Sequence, residues 1–258
     1  MKILSIDTSS KNASVAILNR EGILIELNNN DEKTHSQKLM PMVDEAFQKT
    51  NLSLDDIGLI VCCLGPGSFT GVRIGIATVK AFSDTKTIPC VGVSSLESLA
   101  HNLCQQGIIC SLINAGHDNV YAGLFEIKKE DDCFLQTFNQ DLAFLNLQDE
   151  HENITSEKLI DFIENNKTVN IDNQPIYFVG DAVSIYSYLL QNLNFKNRND
   201  IYLADEKQSV SSGITLAKVG YTKYKNGQYG DSSILSPIYL RKSQAEIALE
   251  EKNKRNEY

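Results

Sequence analysis

The segment GPGSFTGVRIG, Gly65 to Gly75, constrains the fold of this chain more than any other stretch. It follows an apolar run, Ile57 to Leu64, that predicts a buried strand. It opens a segment of helical character from Val72 to Phe82. The predicted order is therefore strand, glycine-rich turn and helix N-terminus. In that arrangement backbone N–H groups converge on one point, where the helix dipole favours negative charge.

Two common nucleotide-binding motifs do not match this turn. A P-loop has Lys and then Ser or Thr after its last loop glycine, whereas Gly71 is followed by Val72 and Arg73. A Rossmann fingerprint needs a third glycine where this chain has Thr70. The spacing also misses the G-x-S-x-G nucleophile elbow, because Ser68 directly follows a glycine. Ser68 and Thr70 are instead predicted to cap the helix that follows.

Apolar patterning in the first half predicts one compact lobe. The predicted elements are strands at Ile3–Asp7, Ala13–Leu18 and Ile23–Leu27, a helix at His35–Thr50, a strand at 57–64, a helix at 71–83, a strand at 90–93 and a helix at 95–103. Short links imply that the first three strands are antiparallel neighbours. Crossover helices imply parallel pairing for the later strands. This order is that of a ribonuclease-H-like lobe.

The second half repeats this order of elements without a visible sequence repeat. It predicts strands at Ile108–Asn114, Val120–Ile127, Cys133–Phe138 and Ile176–Val179, with helices around Leu159, Ile160 and Ile163 and at Val183–Leu190. Two such lobes predict an α/β fold with an actin-like duplication, in which mixed sheets are flanked by helices.

The domain boundaries follow from this division. The N-terminal lobe is predicted at residues 1–105, joined by a helix at 210–227, and the C-terminal lobe at 106–241. The acidic segment from Glu130 to Asn153 is expected to be an irregular surface excursion. Residues 242–258 form a charged tail, expected to be a mobile end or an exposed helix.

Composition restricts the partners and the compartment. The net charge of −9 opposes independent binding to a nucleic-acid backbone, which requires a basic surface. No apolar run approaches the ~20 residues of a membrane span, and the chain starts in a strand rather than a signal peptide. The six cysteines contain no C-x-x-C pair, so reduced, buried thiols in a cytoplasmic protein are expected.

Four segments together resemble one known family. MKILSIDTSS, THSQKLMPMV, GPGSFTGVRIG and SPIYLRK are similar to the signature segments of the TsaB (YeaZ) family, which belongs to the glycoprotease-like group of proteins. The resemblance covers most of the first 103 residues and one short segment of the second half.

The resemblance implies a fold and a function. It implies an actin-like ATPase fold and a non-enzymatic partner of TsaD in forming threonylcarbamoyladenosine beside the tRNA anticodon. The implied partners are a TsaD-like subunit, a TsaE-like ATPase reached through the complex, and a second copy in a homodimer when the chain is alone. Transfer RNA is expected only through the complex, and ATP and metal only on partner subunits. The isolated chain is expected to need no cofactor.

A vestigial nucleotide or phosphate site is one candidate function for the two turns. Its candidate residues are Asp7, Thr8, Ser9, Gly65, Gly67, Ser68, Thr70 and Gly71. In actin-like ATPases the first of these turns holds phosphate and magnesium. The alternative is that the side chains of the first turn bond their own backbone, as is common for Asp, Thr and Ser.

A metal centre is not expected. In TsaD the helix after the corresponding strand begins His-x-x-x-His, which places two ligands on one helix face. Aligned to PCVGVSSLESLAH, those positions are Ser95 and Leu99 here, and neither is a suitable ligand. The histidines of this chain lie far apart in sequence, which opposes a metallopeptidase.

The two N-terminal helices are the candidate partner surface. Gly71 and Gly75 fall on one side of the second helix and predict close approach of another backbone, because glycine otherwise costs ~1 kcal/mol in a helix. The predicted interface residues are His35, Leu39, Met42, Val43, Ala46, Val72, Arg73, Ile74, Ile76, Ala77 and Lys80. The alternative is that each helix only covers the sheet.

One departure from the family and two other functions stay open at this point. Many members read Asp-Ala-Arg where this chain has Asn114-Ala115-Gly116, so any role of that Asp and Arg is in doubt. The alternatives to a scaffold are an ATP-dependent phosphotransferase or ATPase using Asp7 and the Gly65–Gly71 loop, and a glycoprotease-like metallopeptidase.

Overall fold

Two five-stranded sheets form the framework of the chain in a computed structural model, which describes residues 1–30, 35–129, 135–149, 153–171, 174–193 and 200–241. The strands of the first sheet are β1 (Lys2–Asp7), β2 (Ala13–Asn19), β3 (Gly22–Asn29), β4 (Ile57–Cys63) and β5 (Cys90–Val93). Their spatial order is β3-β2-β1-β4-β5. β1 pairs antiparallel with β2 and parallel with β4, as the link lengths predict.

The second sheet repeats the topology of the first. Its strands are β6 (Gly107–Gly116), β7 (Asn119–Lys129), β8 (Leu135–Asn146), β9 (Ile176–Val179) and β10 (Ile201–Leu203), in the order β10-β9-β6-β7-β8. When the strands of each sheet are numbered one to five along the chain and the second sheet is read from β8 to β10, both orders are 3-2-1-4-5. This identity confirms the predicted two-lobed, actin-like duplication.

Seven helices are found in the described part of the chain. They are α1 (His35–Thr50), α2 (Phe69–Lys86), α3 (Ser95–His101), α4 (Glu157–Glu164), α5 (Asp181–Ile185), α6 (Ser187–Gln191) and α7 (Gly213–Lys225). α1 and α2 cover one face of the first sheet, and α7 covers the other. Because β1 and β4 are covered on both faces, they read as nearly continuous apolar runs. None of the described helices is both long enough and apolar enough to cross a membrane.

The structure differs from the predictions in the second lobe, where the strand β10 was not predicted. Leu135–Asn146 is a long strand paired with β7, although most of it was predicted to be irregular. β8 is an edge strand of mixed polarity, so hydrogen bonding to β7 decides its conformation more than its own sequence does. The predicted helix Val183–Leu190 is two short helices divided at Tyr186.

The end of the described chain returns to the first sheet. The Ile238 N–H donates to the Leu64 carbonyl at 2.8 Å, and Gly230 forms a bridge with Cys90. The sequence placed these residues in the C-terminal lobe. The boundaries at 105 and 241 stay a prediction, and the predicted tail at 242–258 lies outside the described residues, as do 130–134 and 150–152.

A polar cluster joins the two lobes beside a cavity of about 180 Å³. Glu97 of α3 is buried and forms an ion pair of 2.7 Å with Lys223 of α7. His101 of α3 lies 3.0 Å from the Thr137 hydroxyl of β8. Burial lowers the pKa of His101 to about 4, so its imidazole is neutral at neutral pH.

We expect His101 to make the fold sensitive to acid. Its folded pKa of about 4 lies below the ordinary value of 6.5, so the unfolded chain takes up the proton first. Stability is therefore lost as the pH falls from about 6.5 towards 4. The His101→Gln variant keeps a polar group for Thr137 but has no imidazole to protonate. Between pH 6.5 and 4 its free energy of unfolding should therefore fall by less than that of the parent, by on the order of 3 kcal/mol. Urea unfolding through the window measures this, and equal pH slopes for parent and variant would contradict it.

Candidate functional site

The turn between β1 and β2 is closed by the side chain of Asp7. The Asp7 carboxylate is 1% exposed, and its Oδ1 accepts hydrogen bonds from the Ser9 N–H at 2.8 Å and the Ser9 hydroxyl at 2.7 Å. Burial raises the pKa of Asp7, while the bonds from Ser9 and the nearby His35 act in the opposite direction. Asp7 therefore orders its own turn, which was the alternative to phosphate binding.

The glycine-rich loop packs directly on this turn. The Ser68 N–H donates to the Ser9 carbonyl at 2.7 Å, and the Thr8 hydroxyl donates to the Gly71 carbonyl at 2.7 Å. Ser68 caps α2 as predicted, since its hydroxyl accepts from the Gly71 N–H at 3.2 Å. Thr70 is exposed in the first turn of the helix and is not the cap, so that prediction is wrong.

Three glycines allow the two segments to approach. A Cβ at Gly67 would overlap the Ser9 carbonyl, and one at Gly71 would overlap the Thr8 carbonyl. A Cβ at Gly75 would lie 2.5 Å from the Thr8 hydroxyl oxygen. The close backbone approach expected from the glycine spacing is present, and the approaching backbone belongs to the chain's own first turn.

Ser95 holds the loop from its other side. Its N–H donates to the Gly65 carbonyl at 2.8 Å, and its hydroxyl donates to the Pro66 carbonyl at 2.5 Å. Leu99 is buried in a hydrophobic cluster between α3 and the second sheet. Both positions considered for metal ligands therefore have packing roles. Among the described residues, no three His, Cys, Asp or Glu side chains are grouped to hold a metal ion.

The equivalent turns of the second lobe are also closed by hydrogen bonds within the chain, but between different groups. β6 and β9 correspond to β1 and β4, so the turn after Asn114 corresponds to the Asp7 turn and Gly180 to the glycine-rich loop. The Asn114 N–H donates to Asp181 Oδ1 at 2.8 Å, and the Gly180 N–H donates to the Ser209 hydroxyl at 3.1 Å. Burial raises the pKa of Asp181.

The predicted interface residues fall into two groups. Those on the inner faces of α1 and α2 are buried in the first lobe: His35, Leu39, Met42, Val43, Ala46, Val72 and Ile76. Ile74 and Lys80 are partly buried, and only Arg73 and Ala77 are exposed. The apolar stripe of each helix covers the chain's own sheet, so the buried group does not present its side chains to a partner. The predicted interface stays a prediction, and in this structure those seven residues pack within the first lobe.

An exposed cluster of Phe69, Arg73 and Tyr239 lies on the outer face of α2. The Arg73 Nε–H donates to the Tyr239 hydroxyl at 2.7 Å, and the guanidinium carbon lies 3.8 Å from the centroid of the Phe69 ring. The two aromatic rings are 41% and 47% exposed, and their centroids are 5.1 Å apart. We call these three residues the Arg73 cluster. Sequence reasoning missed both aromatics, although each stands inside a signature segment.

The duplicated sheets and the paired turns define the class: this is a two-lobed protein with the actin-like fold. A family model described as "TsaD: tRNA N6-adenosine threonylcarbamoyltransferase" matches residues 23–249. The structure called YeaZ from Pseudomonas aeruginosa superposes with a TM-score of 0.70, at 21% identity, over 93% of this chain and 99% of that one.

Curated relatives match nearly the whole chain. The tRNA threonylcarbamoyladenosine biosynthesis protein TsaB of Haemophilus influenzae is 32% identical over 245 residues, which are 93% of this chain and 94% of the relative. The protein of the same name from Bacillus subtilis is 29% identical over 248 residues, or 95% and 96% of the two chains. The chain therefore belongs to the TsaB (YeaZ) family.

We expect Gly71→Ala to destabilise the protein by about 1–3 kcal/mol, because the new methyl group meets a backbone carbonyl that cannot move freely. This destabilisation is the net change, because the steric cost is larger than the ~1 kcal/mol that alanine gains over glycine in a helix. Gly58→Ala is the matched control, since its Cβ would meet chiefly the terminal Met1 side chain. Thermal and urea unfolding measure both variants, and a Gly71→Ala protein as stable as the parent would contradict the packing argument.

Proposed function

We propose that this chain is a non-enzymatic subunit that binds a TsaD-like threonylcarbamoyltransferase and supports it in forming threonylcarbamoyladenosine next to the tRNA anticodon. The full-length match to TsaB proteins supports the pathway. The observation that carries the proposed subunit role is the Arg73 cluster, an exposed and ordered group on the outer face of α2.

The composition of this cluster is typical of a binding anchor. Aromatic residues and Arg dominate the residues that contribute most to protein–protein affinity. Phe69 and Tyr239 already hold the Arg73 guanidinium, so the cluster loses little side-chain freedom on binding. Ala77 lies one further turn along the same side of α2 and leaves room for a close helix contact.

The hydrogen bonds within the β1–β2 turn and the glycine-rich loop support the proposal that this subunit does not itself use a nucleotide. A bound phosphate needs free backbone N–H groups and a favourable charge. Here the N–H groups of Ser9, Ser68 and Gly71 donate to oxygen atoms of the chain itself. The Asp7 carboxylate, where it is ionised, adds repulsion. These contacts support the subunit proposal over the ATPase alternative.

The packing of the α3 helix opposes the peptidase alternative. The Ser95 hydroxyl is used by the Pro66 carbonyl, and Leu99 has no ligand atom. In the proposal, metal and ATP belong to partner subunits, and a TsaE-like ATPase is reached through the complex. Transfer RNA is contacted through the complex because the chain itself is acidic. A homodimer forms when the partner is absent, and the assembly is cytoplasmic.

Phe69→Ala should weaken binding of the TsaD-like partner by at least about tenfold, because truncating a central aromatic anchor commonly costs 2 kcal/mol or more. Ala77→Glu should weaken it as strongly by placing a carboxylate in the contact. Isothermal calorimetry with the host's TsaD-like protein measures both. Tyr188→Ala is the matched control, since Tyr188 is an aromatic residue of the second lobe that is 83% exposed.

Circular dichroism and thermal melting must show that each variant is folded. Val43→Glu is not a useful probe, because Val43 is buried in the first lobe and a charge there would unfold it. If folded Phe69→Ala and Ala77→Glu both bind like the parent, the partner surface is not the outer face of α2. If only Tyr188→Ala lost binding, the partner surface would instead lie on the second lobe.

The isolated chain should bind ATP with magnesium weakly or not at all, because the N–H groups of Ser9, Ser68 and Gly71 are already hydrogen-bonded within the protein. A calorimetric titration of the purified chain measures this directly. Low-micromolar affinity would contradict the proposal and revive the ATPase alternative.

A further inference from the structure

One side of the α2 helix packs on the β1–β2 turn, and the opposite side faces solvent. Gly71 and Gly75 face the β1–β2 turn, where both meet Thr8. Phe69, Arg73 and Ala77 follow one another at intervals of four residues on the solvent side. Because both sides belong to the same two turns of a rigid helix, a change at the inner side displaces the outer side as well.

Two hydrogen bonds attach the inner side to the turn. The Thr8 hydroxyl, in a residue only 1% exposed, donates to the Gly71 carbonyl, and the Ser9 carbonyl accepts from Ser68 at the start of the helix. A helix carbonyl has a second lone pair, so the Thr8 bond adds to the helical bond rather than replacing it. Because the residue is buried, this bond is formed away from solvent, and together the two bonds fix the rotation of the first helical turn.

We infer that the β1–β2 turn serves as a clamp that sets the orientation of α2 and so the partner-facing Arg73 cluster, with the Thr8 hydroxyl as its positioning group. The inference rests on the proposed function. It assigns a use to this turn, in which the Thr8 hydroxyl and the Ser9 carbonyl hold the start of the helix.

Thr8→Val tests the clamp, because valine keeps the shape of threonine and removes the hydroxyl. Partner affinity should fall about three- to tenfold, the range that corresponds to one lost buried hydrogen bond. Thr8→Ser keeps the hydroxyl and should restore affinity to near the parent value. Calorimetry against the TsaD-like partner measures all three proteins.

Ser5→Ala is the matched control for general destabilisation. Ser5 lies on β1, three residues before Thr8, and is fully buried. It likewise donates its hydroxyl to the carbonyl of a helix residue at 2.7 Å, but that residue is Gly213 of α7. Ser5→Ala should lower thermal stability much as Thr8→Val does and leave partner affinity unchanged. Equal loss of affinity in both variants, parent-like binding by Thr8→Val, or no rescue by Thr8→Ser would each overturn the inference.

A second readout separates this inference from the proposed function. Hydrogen exchange of the amides of residues 72–75 in the isolated chain should be faster in Thr8→Val than in Ser5→Ala, by about three- to tenfold. If the parent does not bind a TsaD-like protein, the proposed function is wrong and the exchange rates alone decide the clamp. Equal exchange in the two variants would then refute it.

Discussion

The contact between the β1–β2 turn and the glycine-rich loop is the interaction on which the first lobe depends. It places backbone carbonyls of the turn against glycines of the loop, so the loop cannot carry a side chain at those positions. The hydrogen bonds of Thr8 and Ser9 then fix the start of α2. From the other side, Ser95 holds the same loop through Pro66, which brings the start of α3 to the same place.

The second lobe also closes the equivalent junction with groups of its own, although through different contacts. Gly180 approaches the Leu112 carbonyl, which lies on the strand itself rather than in the turn, and the Asn114 N–H donates to Asp181. A protein can therefore keep the actin-like framework while the polar groups of its turns form hydrogen bonds within the chain. Sheet pairing and core packing maintain the lobes, whereas phosphate binding depends on a few N–H groups that the chain's own oxygen atoms can occupy.

Sequence reasoning predicted most of the fold because the central strands are buried on both faces and read as apolar runs. β1 and β4 are found near their predicted bounds, and the link lengths correctly gave antiparallel and parallel pairing. The edge strand β8 could not be found this way, since its residues are mixed and its conformation is set by pairing with β7. Tyr239 was missed for a related reason: its contact with Arg73 joins residues that are 166 positions apart.

The sequence by itself determined that α1 carries an apolar face and that α2 meets another backbone at Gly71 and Gly75. Only the tertiary structure decided what those faces meet. Leu39, Met42 and Val43 cover the chain's own sheet, and the backbone at Gly71 is that of Thr8. The physical reason is that hydrophobic burial is non-directional: periodicity reports that a face leaves water, while the partner of that face depends on where the rest of the chain is folded.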